Sequence, residues 1–360
     1  MGFLIFTEYS IAQIDQSDSV YINQAYSDDV QKAQGIIVDL MNEKNIPGLS
    51  VAIATKDQLI WAQGFGFADL ENRTPIKINS KFRIGSVSKT LTALAITKLI
   101  ENGQLSLSDD VRKYVSYFPE KKYPITIGQL VSHTAGVRDY NYRNGEYFSD
   151  KNYKSVQESI NIFKEDSLLF KPGSKYSYST YGYVLLSAVI EGVTKVDFID
   201  FMRESILLPM DLKNTMPDYN NDIISNRVRF YDEVDGKIVN GYYVNNSNKW
   251  AGGGYLSTPF DLVTMCQSLL SHQFLKESTT QLLWTPATLA DGQKTNYGLG
   301  WRQDLDSLGR TYVHHGGSSI GGRSFLLLYP NEELSIAVTS NLSTNFDQKF
   351  VLKIAELFIE

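Results

Sequence analysis

Strand-like runs lie at the two ends of this 360-residue chain, and helical patterns fill its middle. Leu49 to Thr55 and Gln58 to Phe65 are rich in β-branched and aromatic residues. Lys56-Asp57 separates them, which predicts a hairpin. Late in the chain, Tyr297 to Arg302, Thr311 to His315, Arg323 to Tyr329 and Leu334 to Ser340 predict strands, with Asn331-Glu332-Glu333 as the loop between the last two. Between the two groups, Ser155 to Phe163, Tyr181 to Gly192 and Phe260 to Leu270 carry helical patterns. Strands drawn from both ends into one sheet imply a discontinuous α/β (α+β) fold, an antiparallel sheet flanked by helices with a mainly helical inserted domain. The boundaries fall near an extension over 1–26, a sheet domain from 27–90 and 285–360, and a helical domain over 91–284. Two amphipathic helices flank the sheet. Ser27 caps the first, from Asp28 to Lys44, with Ala33, Ile36, Ile37, Leu40 and Met41 on its apolar face. Phe350, Val351, Ile354, Ala355 and Phe358 mark the closing one.

Composition removes several function classes. A hydrophobic content of 42% fills a sizeable core, and a net charge of −6 with no basic block leaves nucleic acid no electrostatic footprint. Cys266 is the sole cysteine, so neither an intramolecular disulfide nor a thiolate metal cluster can form within the chain. The histidines, His133, His272, His314 and His315, lack metal-ligand spacing, and we expect no metal and no cofactor. No apolar run approaches the ~20 residues a transmembrane helix needs. Met1 to Phe6 is a short apolar start, followed by the small residues of Ser10-Ile11-Ala12-Gln13. Read as a truncated signal peptide, it places the chain in the periplasm or outside the cell; read as an ordinary N-terminus, in the cytoplasm.

One stretch carries chemistry. Arg83-Ile84-Gly85-Ser86-Val87-Ser88-Lys89-Thr90 leads into Leu91, Leu94, Ala95 and Leu99 at helical spacing, and Gly103 follows as a C-terminal cap. Ser86 is the only serine with a lysine three residues on. That spacing puts both side chains on one face of the first turn, where the unpaired N–H groups favour a serine alkoxide and a neutral lysine. The pair is a candidate activated nucleophile; a capping serine beside a surface lysine is the plain alternative. Two later stretches offer partners. Lys171-Pro172-Gly173 turns into a Tyr- and Ser-rich segment containing Tyr178, which can shuttle a proton. His314-His315-Gly316-Gly317-Ser318-Ser319 follows a strand with glycines that let a ligand approach the backbone.

In this order, Ser86-Val87-Ser88-Lys89, Tyr178-Ser179-Thr180 and His315-Gly316-Gly317 resemble the motifs of the class C β-lactamase and penicillin-binding-protein superfamily of serine hydrolases. Phe82 to Gly85, Ile127 to Gly136 and Gly252 to Thr258 resemble it too, and the likeness spans roughly residues 30 to 358. Segments 226–231, 249–254 and 178–187 are similar to a mitochondrial branch with bacterial relatives, linked to peptide or ester hydrolysis and to filament assembly. The resemblance implies a β-lactamase/transpeptidase-like fold in which Ser86 attacks a carbonyl, Lys89 and Tyr178 share the proton transfers, and water hydrolyses the acyl-enzyme. It implies an oxyanion hole from the backbone N–H groups of Ser86 and Ser318, and a substrate site at Thr180, His315 and Gly317. His314 is a rival for the motif position; His315 is preferred because Gly317 then follows two residues on.

Thr180 replaces a usual Asn and His315 a usual Lys, which moves the expectation from β-lactamase toward a D-Ala-D-Ala carboxypeptidase-like peptidase or an esterase. The expected partner is thus a small peptide or ester, with self-association kept open. Gly317-Ser318-Ser319-Ile320-Gly321 also fits the elbow of α/β-hydrolases, but strand-like residues follow Ser319 and no histidine follows His315. A non-catalytic peptide-binding or filament-forming scaffold remains the alternative from another class.

Overall fold

Period-two alternation explains how the strands divide the molecule into layers. In the computed structural model, which describes residues 15–16, 18–344, 346 and 348–359, the principal strands are β1 (Val20–Ile22), β2 (Gly48–Thr55), β3 (Leu59–Asp69), β4 (Arg302–Leu305), β5 (Thr311–Ser319), β6 (Gly322–Tyr329) and β7 (Leu334–Ser340). They form one antiparallel sheet in the order β1-β3-β2-β7-β6-β5-β4, and a two-residue strand, Thr74–Pro75, also pairs with β3. The expected hairpin is β2–β3. The last two expected strands are β6 and β7, so the two ends of the chain meet where β7 pairs with β2.

Each face of the sheet has its own helical cover. Leu49, Val51 and Ile53 of β2, with Ile336 and Val338 of β7, face helices α1 (Ser27–Glu43) and α6 (Gln348–Ala355), packing against Val30, Ala33, Ile37, Val351 and Ile354. The intervening residues Ala52, Ala54 and Ala337 face the other way, toward the layer of α2 (Ser88–Glu101), α3 (Thr180–Thr194), α4 (Trp250–Gly253) and α5 (Pro259–Leu270). Alanines on this face let helices sit close to the backbone, so α5 packs directly on β2 and β7. Helix α2 is apolar or small on nearly every side. That composition suits a helix enclosed all round, and it is buried from Ser88 to Thr97.

Some local expectations are corrected. Ser27 opens α1 rather than capping it. The chain enters through a 3-10 turn, Gln24–Tyr26, capped by Asn23, whose Oδ1 accepts the Ala25 N–H at 3.1 Å. The run Tyr297 to Arg302 is a loop, and the strand starts only at Arg302. Gly300 explains the delay: it has a φ of +78°, and a Cβ there would lie 2.9 Å from the Lys89 carbonyl. The loop therefore crosses α2 at backbone distance instead of extending the sheet. The signal-peptide expectation falls on residues 1–13, outside the described residues. Among the described residues, no helix is long and apolar enough to cross a membrane.

Candidate active site

The site forms where the helical layer meets β5. Ser86 sits in a 3-10 turn, Gly85–Val87, immediately before α2. The preceding residues are firmly anchored. Arg83 Nε donates to Asp218 Oδ2 at 2.6 Å, with both side chains buried, and Ser324 Oγ donates to the Ile84 carbonyl at 2.7 Å. Gly85 has a φ of +48°, and a Cβ on it would lie 2.6 Å from the Ser318 nitrogen. A Cβ on Gly317 would lie 1.9 Å from the Ile84 carbonyl oxygen. Missing side chains at these two positions thus bring the Ser86 turn and β5 together backbone to backbone. β4 covers β5 only from Thr311 to His314, so residues 315–319 keep an open edge on that side. The exposed Ser318 lies on this stretch.

Lys89 is buried at 0% exposure. Its Nζ lies 3.1 Å from Ser86 Oγ, donates to the Gly252 carbonyl at 2.6 Å and lies 3.4 Å from Thr180 Oγ1. Burial pushes the amine down to about 7, the neighbouring cations Lys249 and Arg302 push the same way, and the Asp139 carboxylate partly opposes them. A neutral amine has two N–H groups and one lone pair. With the N–H groups directed to Gly252 and Thr180, the lone pair can face the Ser86 hydroxyl. Tyr178 closes the other side: its hydroxyl lies beside Ser86, and its ring centroid lies 4.7 Å from Lys89 Nζ. Burial pushes the phenol well above its ordinary value, so near neutral pH Tyr178 carries its proton.

Thr180 opens α3, capped by Ser179, whose Oγ accepts the Gly182 N–H at 3.0 Å. The Thr180 N–H donates to Asp139 Oδ1 at 2.9 Å, so a carboxylate sits at the positive end of this helix, and the Tyr140 hydroxyl lies beside the Thr180 side chain.

Strand alternation separates the two adjacent histidines. His314 turns away, its Nε2 2.8 Å from Asp304 Oδ2 and its ring stacked on Phe325. His315 turns toward Tyr178 and Tyr297. Both ring nitrogens of His315 are occupied, Nδ1 at 2.7 Å from the Gly316 carbonyl and Nε2 at 3.0 Å from the Tyr297 hydroxyl. Since a carbonyl only accepts, Nδ1 holds the proton and Nε2 accepts from Tyr297. Burial and the nearby Lys89 push the imidazole well below its ordinary range, so the ring is neutral and has no N–H left for a substrate carboxylate.

The structure thus gathers Ser86, Lys89, Tyr178, Thr180, His315, Gly317 and Ser318 around one point. It adds three residues to which no role attaches in the sequence. His133, at a φ of +60°, accepts the Ser179 N–H on Nδ1 at 3.1 Å and packs its ring 4.2 Å from that of Tyr178, fixing that side chain. Asp139 faces Lys89 as described. Arg302, half-buried at the start of β4, holds its guanidinium 5.4 Å from the Tyr297 ring centroid and 5.9 Å from that of Tyr178, and it makes no ion pair among the described residues. His133 belongs to a stretch with family likeness, Ile127 to Gly136, which could have flagged it. Asp139 and Arg302 reach the site only through tertiary packing. Among the described residues, no group of His, Cys, Asp and Glu could hold a metal ion.

The Beta-lactamase family model matches residues 33–357. The human mitochondrial serine beta-lactamase-like protein LACTB is 30% identical over 405 aligned residues, covering 87% of this chain and 74% of that protein. Penicillin-binding protein 4* of Bacillus subtilis is 28% identical, covering 89% of this chain and 74% of its own length. Among solved structures, the octameric penicillin-binding protein homologue from Pyrococcus abyssi superposes with a TM-score of 0.78 at 26% identity, covering 92% of this chain and 77% of that one.

Proposed function

The chain belongs to the Beta-lactamase family, and from that premise we propose that it is a serine hydrolase that cleaves a small peptide or ester through an acyl-enzyme on Ser86. The carrying observation is a fully buried lysine, its amine lowered to about 7, lying 3.1 Å from a half-buried serine hydroxyl. Such an amine is neutral often enough near pH 7 to accept a proton, and close enough to take this one.

In the proposed sequence, Ser86 Oγ bonds to the substrate carbonyl carbon while its proton passes to Lys89 Nζ. The negative charge that forms on the carbonyl oxygen is met by the backbone N–H groups of Ser86 and Ser318, a contribution of about 3 kcal/mol per donor in comparable sites. When the tetrahedral centre collapses, the bond to the leaving group breaks. Tyr178 gives its proton to the leaving atom and regains one from the Lys89 ammonium. A water molecule then repeats the attack, losing its proton to the same pair, and Ser86 leaves with a proton restored. Tyr178, protonated throughout the resting state, fits the donor role better than that of a phenolate base.

Because His315 is neutral and fully hydrogen-bonded, a carboxylate on the leaving group would meet Arg302 instead, on the same side as Tyr178. The open edge of β5 at residues 315–319 suits an extended, peptide-like backbone, which favours a peptide as the substrate.

An active-site fluorophosphonate tests this reading. Wild type labels and gains the mass of one adduct, Ser86→Ala does not label, and Lys89→Met labels at least about a hundredfold more slowly. Labelling that persists in Ser86→Ala would overturn the nucleophile. No labelling of any form would favour the scaffold.

A further inference from the structure

Four cations lie buried among the described residues, and three of them have a short partner. Arg83 meets Asp218 at 2.6 Å, Lys89 meets the Gly252 carbonyl at 2.6 Å, and Lys81 meets the Ser225 carbonyl at 3.0 Å. Lys249, at 4% exposure, has only the Tyr147 carbonyl at 3.4 Å. What it does have is aromatic faces: its Nζ lies 4.6 Å from the centroid of Tyr147 and 5.4 Å from that of Tyr140.

Those two rings begin a continuous shelf. Tyr140 and Tyr147 pack at 5.5 Å, Tyr147 meets Phe148 edge-on at 5.3 Å, and Phe148 meets Tyr242 at 6.4 Å. Exposure rises outward along it, to 48% at Phe148 and 71% at Tyr242. The two loops that carry these rings are tied together, since the Asn245 N–H donates to the Ser149 carbonyl at 2.8 Å and the Tyr153 N–H to Ser247 Oγ at 2.8 Å. The inner end reaches the catalytic centre: the Tyr147 hydroxyl lies beside Ser318 and that of Tyr140 beside Thr180. Arg302 and the proton donor Tyr178 lie together elsewhere around Ser86, which makes that the leaving-group side and leaves the shelf to the acyl side.

We propose that Tyr147, Phe148 and Tyr242 form the acyl subsite and select substrates whose acyl group is bulky and apolar, an aryl or medium-length alkyl chain laid along the exposed rings. This rests on the acyl-enzyme reading above. The occupant is taken to be the acyl group rather than a second copy of the chain because the shelf runs without a break into Ser318 and Thr180. The opposite side presents the Arg302 guanidinium and the Tyr178 hydroxyl, which suit a polar leaving group.

The test compares p-nitrophenyl acetate, butyrate, octanoate and phenylacetate on wild type and on the double variant Phe148→Ser/Tyr242→Ser, with Ser86→Ala as the blank and fluorophosphonate labelling of each preparation. Both substituted side chains are solvent-exposed, so the core is untouched. Wild type is expected to favour octanoate and phenylacetate over acetate in kcat/KM. In the double variant that preference falls by about tenfold, mainly through KM. An unchanged preference, or a wild type that favours acetate, overturns the subsite while leaving the labelled Ser86 in place. Absence of labelling in wild type fails the acyl-enzyme reading itself, and the subsite with it. Light scattering on the same samples supplies the remaining outcome: an assembly that falls apart in the double variant with its acyl preference intact would assign the shelf to contact between copies, and would also overturn the proposal.

Discussion

Lys89 and Lys249 are both fully enclosed, and burial lowers both amines to about 7. Their surroundings then diverge. Lys89 is held by the Gly252 carbonyl and has a serine hydroxyl at 3.1 Å, so its lone pair has a proton within reach. Lys249 lies between tyrosine rings with one carbonyl at 3.4 Å and no hydroxyl among its hydrogen-bond partners, so it has an altered basicity and nothing to deprotonate. The pair teaches that a lowered lysine identifies an enclosed amine, while the group at its lone pair identifies a base. Asp139 acts on both amines from one position, raising each against the effect of burial.

Exchange of each lysine for Met should pull the two furthest apart. Lys89→Met is expected to lose about 10²- to 10⁴-fold in ester kcat/KM, the range for a removed general base, while Lys249→Met stays within about tenfold of wild type. Equal losses would erase the distinction.

Stability gives the next test, on Lys249, the lysine with no base role to confuse the readout. Between its folded value of about 7 and the ordinary 10.5, the unfolded chain holds a proton that the folded chain has released. Stability therefore rises with pH across that window, and the penalty for burying the amine is fully present at about pH 7 and below. Thermal melts should show Lys249→Met stabilised at pH 7 and less so near pH 10. A gain that grows toward alkaline pH would contradict the sign.

A smaller effect comes from Asp139→Asn. Without the carboxylate, Lys89 falls further and remains neutral to lower pH, so the acid limb of the kcat/KM profile moves toward acid. The Asn Oδ1 still accepts the Thr180 N–H, so unfolding in urea should lose only the charge at the helix start, about 0.3 to 1 kcal/mol. A limb that stays in place would mean that Lys89 does not set it.

The smallest change is expected from His315→Gln. The histidine is neutral in the fold, so KM for a carboxylate-bearing peptide should show no inflection near the ordinary imidazole value of 6.5 in either form, and Arg302→Gln should raise KM more. An inflection in wild type that the substitution removes would restore the charge to His315.

How much of this could be read from the sequence depends on how local each feature is. Ser86 and Lys89 are three residues apart, so any helical start brings them together. Alternation along Thr311–Ser319 is enough to turn His315 inward once the strand exists. The hairpin and the late strands follow from composition and period. By contrast, Asp139 and Arg302 join the site only when α3 and β4 are in place, and Arg302 was further hidden because the run before it reads as strand. Gly300 makes that run a loop through its crossing of α2, a clash no local pattern announces. The pairing of Lys249 with rings of the 140–147 segment is likewise about a hundred residues apart in sequence.

The position of β7 has a consequence for how the protein is made. It lies between β2 and β6, pairing Ser335 with Ala54 on one side and with Leu328 on the other. A ribosome must therefore reach Leu334–Ser340 before the first hairpin acquires its neighbour on that side. Termination ahead of Leu334 would leave β2 and β6 as two bare, apolar edges in one molecule, each a template for pairing with another chain. Newly made protein is thus expected to depend on chaperones until β7 arrives, and to be at greatest risk of aggregation just before its sheet becomes continuous.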